Sequence, residues 1–142
     1  FITTAVPAWA LVQGELQGTI SQEEVSALGE LGRRAGYAGV VFAPVSYGHY
    51  VEYFAGLETV VDGYYLLRSN VPERYRDVER ALKTFSETEA VGTFNKYNAS
   101  YIVVPPQVQD IKYGAGKCFK RIHATRIRIY EIDRACEVRV IK

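Results

Sequence analysis

The chain has 142 residues, of which 48% are hydrophobic and 23% are charged, and its formal net charge is +1. These values are typical of one globular domain and exclude a disordered segment. A near-neutral charge that is spread along the chain also argues against nucleic acid as a partner.

Composition also bears on the origin of the chain. It contains no methionine, so we expect a fragment of a larger or processed protein. Asn and Gln are few, whereas Glu and Arg are common, which favours a thermophilic source. The sequence has no run of about 18 apolar residues, so it predicts no membrane span. The opening residues 1–12, with Trp9, fit either a first strand or coil on the core or the segment just after a membrane helix.

The first predicted helix lies within residues 21–36. Ser21 and Glu24 form a capping-box pattern, apolar residues recur on one face, and Gly36 suits the end of a helix. The apolar run that follows is closed by Pro44 and predicts a buried strand. A helix followed by a buried strand is typical of a layered α/β fold.

The segment 43–65, APVSYGHYVEYFAGLETVVDGYY, is rich in aromatic rings and turn-forming residues. We interpret its first part as a ring-rich loop and LETVVDG as a strand that ends in an Asp-Gly turn. Because a tyrosine ring has an apolar face and a hydroxyl, such a stretch suits a wall that binds sugar or peptide. The alternative is that the rings fill the seam between helix and sheet.

Two more helices and a strand are predicted next. Residues 71–85 have Pro72 in the first turn. Their apolar stripe consists of Tyr75, Val78, Leu82 and Phe85. Residues 86–98 begin with a second capping-box pattern, Ser86 with Glu89. The run SYIVVPP then predicts a buried strand that two prolines end.

The last third of the chain alternates between apolar and charged side chains. This alternation predicts three short strands in an antiparallel meander. Together the elements predict one compact α/β domain over residues 1–142, with a mixed β-sheet, flanking helices and a C-terminal antiparallel meander.

Cys118 and Cys136 have no CxxC motif or histidine cluster beside them, so a zinc site is not expected. They are either small buried hydrophobes or a disulfide across adjacent strands. A bridge would contribute about 3 kcal/mol and would imply an oxidising compartment. The triplet Asn98-Ala99-Ser100 matches the N-glycosylation acceptor pattern, which matters if the domain faces outside the cell.

Two other patterns suggest chemistry only weakly. Ser46 lies near His49 but without the G-x-S-x-G elbow, so a Ser–His hydrolase is a remote alternative. Glu52 and Asp62 are candidate carboxylates for a glycosidase, but sequence alone does not place them at the required separation.

Three phrases of the sequence resemble oligosaccharyltransferase catalytic subunits, a family of multi-span membrane glycosyltransferases. VVFAPVSYGHYVEYFAGLETVVDG resembles the segment around their Trp-Trp-Asp-Tyr-Gly motif, and FNKYNASYIVV and CFKRIH…RIRIYEID resemble strands of their outward-facing C-terminal domain. The motif falls on residues 44–48, where only Tyr47 and Gly48 match and Ser46 replaces the aspartate. Asp110 and Lys112 loosely match the family's second pocket motif, with different spacing.

The resemblance implies an extracytoplasmic C-terminal domain of an archaeal enzyme that transfers a lipid-linked glycan to protein. It implies acceptor-side contacts from Ser46, Tyr47, Gly48, His49, Asp110 and Lys112, with no catalytic residue and no activity in the isolated domain. The domain would hold no cofactor, because the family's divalent metal and donor lipid are bound by the membrane part. The implied partners are that membrane-embedded remainder and the acceptor peptide. The alternative is a non-catalytic binding or interaction domain of a membrane or secreted protein.

Overall fold

The computed structural model describes residues 20–61 and 69–136. In these ranges the strands are β1 (Val40–Phe42), β2 (Glu58–Thr59), β3 (Ala99–Val104), β4 (Phe119–Ala124) and β5 (Arg128–Ile132). They form one sheet in the order β2-β1-β3-β5-β4. β1 pairs in parallel with β2 and β3, and β5 pairs antiparallel with β3 and β4. The predicted α/β fold with a mixed sheet is confirmed.

Helices cover both faces of the sheet. They are α1 (Gln22–Arg34), the mixed helix of residues 45–55, α2 (Val71–Lys83) and α3 (Glu87–Lys96). α1 and the mixed helix pack on one face, with Tyr101 and Val103 of β3, and α2 and α3 pack on the other, with Ile102 and Val104. Alternate residues of a strand point to opposite faces, so β3 joins the two halves of a three-layer core.

α1 begins and ends as the sequence predicts. The Ser21 hydroxyl accepts from the Glu24 amide at 3.2 Å, and the Glu24 carboxylate accepts from the Ser21 amide at 2.9 Å. Past its end, Gly36 has a φ of 63°, the left-handed conformation that glycine adopts without steric cost. The capping box and the helix end are confirmed.

The prediction of a ring-rich loop after β1 is wrong, because residues 45–55 are helical. A 3-10 turn (Val45–Tyr47), an α turn (Gly48–Tyr50) and a π turn (Val51–Ala55) follow one another. Gly48 has ordinary helical angles, φ −56° and ψ −42°, so it does not interrupt the helix. The helix stops at Gly56, whose φ is 64°.

Parts of the next two predictions also differ from the structure. Val78 and Leu82 are buried as predicted, but Tyr75 is exposed, and Phe85 lies beyond α2 with 82% of its surface exposed. The predicted strand LETVVDG is shortened to β2, and Asp62 lies outside the described residues.

The second capping box forms only in half. The Ser86 hydroxyl accepts from the Glu89 amide at 3.3 Å, but the Glu89 carboxylate accepts from the Thr84 hydroxyl. The Ser86 amide donates instead to the Thr84 hydroxyl, at 3.1 Å. The helix still begins at the predicted place.

A disulfide joins Cys118 and Cys136, with a Cα–Cα distance of 5.3 Å. It links the residue before β4 to the segment after β5, so of the two interpretations of the cysteines the structure shows the bridge. The opening residues 1–12 and the third strand of the meander, with Val138 and Val140, lie outside the described residues. In the part of the chain that is described, no helix has the length and apolar character needed to cross a bilayer.

Candidate functional site

The carboxyl ends of β1 and β3 lie side by side at one edge of the sheet. β2 and β3 flank β1 on opposite sides. The chain that leaves β1 leads to β2, and β3 lies on the other side of β1. Such a topological switch point is where open α/β sheets bind ligands. Here the mixed helix follows β1, and the loop of residues 105–112 follows β3.

Residues of both predicted motifs line one cleft at this edge, the Asp110 cleft, which has a volume of 510 Å³. Among its lining residues are Ser46, Asp110, Lys112, Glu79, Lys83 and Phe85. The structure thus brings Ser46, from the segment after β1, beside Asp110 and Lys112, from the loop after β3. The wall carries charges of both signs, which suits a polar ligand.

Asp110 is held in place by hydrogen bonds. The Tyr130 hydroxyl lies 2.9 Å from both carboxylate oxygens, and the Ile111 amide donates to one of them at 2.9 Å. Burial, and then the bond to Asp110, raises the pKa of Tyr130, so this hydroxyl stays a donor at neutral pH. A Cβ at Gly114 would lie 2.9 Å from the Tyr130 ring, so glycine allows the loop to pack there.

The Arg128 side chain holds the loop of residues 105–112 in place. Its Nη2 donates to the carbonyl oxygens of Pro105, at 3.0 Å, and Val108, at 2.6 Å. Arg128 belongs to β5, so these bonds attach the loop after β3 to the neighbouring strand. The position of Val108, which lines two clefts, therefore depends on a side chain of the sheet.

A second cleft of 200 Å³, the Glu24 cleft, adjoins the first through Ser46 and Val108. Glu24 lies in its wall and is only 5% exposed. Its carboxylate accepts from the Ser21 amide at 2.9 Å, the Ser21 hydroxyl at 2.7 Å and the Tyr47 hydroxyl at 2.8 Å. Ser46, the position where the resemblance lacks a carboxylate, therefore lines the same cleft as a buried carboxylate.

The hydrogen bonds decide the charge of this pair. Burial acts to raise the pKa of Glu24, but the bonds from Ser21 and Tyr47, together with the charge of Arg126, lower it below its usual value. Burial, followed by the bond to Glu24, strongly raises the pKa of Tyr47. At neutral pH Glu24 is therefore an ionised acceptor, and Tyr47 is a protonated donor.

A third cleft, the aromatic cleft, has a volume of 460 Å³ and is lined by His49, Tyr50, Glu52, Tyr53 and Phe54. The His49 and Tyr50 ring centroids lie 3.9 Å apart, and the Tyr50 and Phe54 rings are nearly parallel, at 21°. Tyr53 is 82% exposed. Tyr50 also lines the Glu24 cleft, so each of the three clefts shares a wall residue with the next.

No protein-family model matches the sequence, and no curated protein matches it significantly. The structure, however, is similar to the crystal structure of the C-terminal globular domain of oligosaccharyltransferase from Archaeoglobus fulgidus. The TM-score is 0.62, and the match covers 80% of this chain and 99% of that chain at 14% sequence identity. This chain has the fold of that domain.

Within this oligosaccharyltransferase-domain fold, the predicted contact residues fall in different environments. Ser46 is exposed where two clefts meet, Tyr47 is buried against Glu24, and Gly48 is buried within the mixed helix. His49 lines the aromatic cleft instead. Among the hydrogen bonds of the described residues none joins Ser46 to His49, so their geometry gives no support to a Ser–His hydrolase.

Sequence reasoning missed Glu24 as a site residue. Its capping-box position accounts for the carboxylate without any contact to the rest of the fold, and the bond to Tyr47 exists only once the mixed helix packs on α1. In residues 20–61 and 69–136, no three His, Cys, Asp or Glu side chains gather as metal ligands.

Proposed function

We propose that this chain is the extracytoplasmic C-terminal domain of an archaeal membrane glycosyltransferase related to oligosaccharyltransferase, and that its clefts contact the acceptor protein. One observation carries the proposal. Ser46 and the Asp110–Lys112 pair, which the resemblance assigned to two motifs far apart in the sequence, line a single cleft at the switch point. The fold likeness supports the same assignment.

Glu24 supplies the carboxylate that the degenerate motif lacks. A carboxylate has about four acceptor positions, and Ser21 and Tyr47 provide three donors to this one. One position is left for the hydroxyl of an acceptor Ser or Thr that enters the Glu24 cleft. Ser46, at the mouth of the cleft, adds a weaker neutral partner.

The rest of the enzyme lies in the membrane-embedded part of the same chain. In this proposal that part holds the divalent metal and the lipid-linked donor, and the isolated domain has no turnover. The aromatic cleft faces the membrane part, where its exposed rings find cover. The Cys118–Cys136 bridge fits the extracytoplasmic location, because disulfides persist in oxidising compartments, although intracellular proteins of hyperthermophilic archaea also contain them.

Peptide titration followed by NMR tests this function. An Asn-x-Thr peptide at millimolar concentration is expected to shift the amide signals of residue 46 and of residues 107–112, and an Asn-x-Ala peptide is expected to shift them less. Glu24→Gln should weaken binding by about tenfold, because a hydrogen bond to a charged group is lost. Glu30→Gln, an exposed change on the same helix, should leave binding unaltered. Unchanged spectra with the Asn-x-Thr peptide would rule out acceptor binding.

A second candidate is a non-catalytic interaction domain, which the exposed rings favour. Tyr53 is 82% exposed and Tyr37 is 63% exposed, and ordered aromatic rings at a surface are common in protein interfaces. The full-length reading frame separates the two candidates. Multiple membrane spans encoded upstream of Phe1 favour the transferase, and a short frame that encodes none favours the interaction domain.

A further inference from the structure

We propose that Asn98 is itself an N-glycosylation site, and that the glycan is attached before residues 98–100 fold. The inference rests on the extracytoplasmic location in the proposed function, and it concerns a part of the molecule that the clefts do not use. Asn98, Ala99 and Ser100 satisfy the acceptor pattern Asn-x-Ser/Thr. Asn98 is exposed and lies in the two-residue turn between α3 and β3.

The folded surface accommodates a glycan at this position. Asn98 lies at the amino end of β3, whereas the clefts lie beyond its carboxyl end, and six extended residues span roughly 20 Å. A glycan there leaves the clefts open. The disulfide between Cys118 and Cys136 fits the extracytoplasmic location on which this inference rests, because secreted glycoproteins pass through compartments that form disulfides.

Once the chain has folded, its own contacts keep an enzyme from binding the triplet. Asn98 has a φ of 54°, so the backbone turns there instead of running extended. Ala99 is 2% exposed and pairs with Val40 of β1. The Ser100 hydroxyl accepts from Arg134 Nη2, which also donates to the carbonyl oxygen of Asn98.

An acceptor triplet must offer its amide and its hydroxyl to the enzyme together. In the folded chain Arg134 fixes the position of the Ser100 hydroxyl, and Ala99 is locked in the sheet by its pairing with Val40. The three residues cannot rearrange around an enzyme, so the order of events follows. Attachment comes first, and the formation of β3 comes second.

The chemistry is a transfer from a lipid-linked glycan phosphate that the host supplies. Asn98 Nδ2 forms a bond to the anomeric carbon of the sugar, and the bond from that carbon to the phosphate oxygen breaks. The amide nitrogen loses one proton to a base of the host's transferase, and the lipid phosphate departs with the electron pair. No oxidant or reductant takes part.

Secretion of the chain behind a signal peptide, in a host that N-glycosylates, tests the site by intact mass. The unaltered chain and Ser100→Thr should gain the mass of a glycan, and Asn98→Gln and Ser100→Ala should lose it. The matched control is His123→Asn in the Asn98→Gln background, which creates a new triplet with Ala124 and Thr125. An unmodified parent chain overturns the site, whether or not the control is modified.

The order of events needs a second measurement. Folded chain made without a glycan is incubated with an oligosaccharyltransferase and its lipid-linked donor, beside reduced and unfolded chain. Only the unfolded chain should gain mass, and equal modification of both overturns the order. Peptide titration of the unglycosylated chain reports on the proposed function separately, so failure of one proposal is distinguishable from failure of the other.

Discussion

Glu24 is the residue on which both stability and the proposed acceptor contact depend. Glu24→Gln keeps the shape of the side chain but removes the charge that three donors stabilise. We expect the free energy of unfolding to fall by about 1–3 kcal/mol at neutral pH. Urea denaturation of both proteins between pH 7 and pH 3 measures this difference.

The pH dependence of that difference has a definite sign. The folded-state pKa of Glu24 is lowered, so the carboxylate stabilises the fold above the unfolded-state pKa of about 4.3, and this contribution is lost as the pH falls through the folded-state value. The two stability curves should therefore converge in acid. Glu30→Gln, on the exposed part of α1 and outside these hydrogen bonds, is the matched control. A stability difference for Glu24→Gln that is constant with pH would contradict the role assigned to the charge.

Residue-level signals predict only part of the site. The family resemblance predicts Ser46, Asp110 and Lys112 as site residues. They come together only because β1 pairs in parallel with β3, a contact between distant parts of the chain. Glu24 has a complete local explanation as a capping residue. A sequence pattern therefore gives no reason to look for its bond to Tyr47.

At the scale of elements, α1 offers a matched pair of glycines. A Cβ at Gly32 would lie 2.3 Å from the carbonyl oxygen of Ala55, in the π turn of the mixed helix, whereas one at Gly29 would meet only Arg33 Nη1, at 3.7 Å. Gly32→Ala should destabilise the protein by about 1–3 kcal/mol, because the backbone of Ala55 has to move. Gly29→Ala should stabilise it by up to about 1 kcal/mol, because alanine is the better helix former.

Thermal unfolding of the two glycine variants decides the point. The midpoint should fall for Gly32→Ala and rise for Gly29→Ala. Equal shifts in the same direction would mean that the close approach of α1 to the mixed helix is not needed for stability. Since the mixed helix carries Ser46 and Tyr47, Gly32→Ala should also weaken binding of the acceptor peptide.

Elements with complete local signals are the ones that sequence predicts well. α1 has a cap, an apolar stripe and a terminal glycine, and β3 has an apolar run before two prolines, so both form where expected. The helical segment of residues 45–55 was missed because Pro44 and Gly48 are also turn formers, and Gly48 becomes helical only in the context of its neighbours. The apolar stripe predicted for α2 runs to Phe85, although the helix ends at Lys83.

On the scale of the whole molecule, the two ends of β3 lie beside different features of the fold. Beyond its carboxyl end lie the clefts, fixed by Arg128 from the neighbouring strand. At its amino end lie Asn98 and, across β5, the bridge between Cys118 and Cys136, because Tyr101 pairs with Glu131 and Ile132 pairs with Phe119. Changes at one end should therefore leave the other intact.

The disulfide tests this separation. The bridge closes a loop across a sequence separation of 18, so the double variant Cys118→Ala, Cys136→Ala should lose about 3 kcal/mol of unfolding free energy, chiefly because the unfolded chain is less constrained. Urea denaturation with and without reductant measures the loss, and the double variant should not respond to reductant. Under conditions where it remains folded, the variant should bind the acceptor peptide as the parent does, since the clefts lie beyond the far end of β3. A parent protein that is insensitive to reductant would contradict the bridge's contribution, and weaker peptide binding by the folded variant would contradict the separation of the two ends.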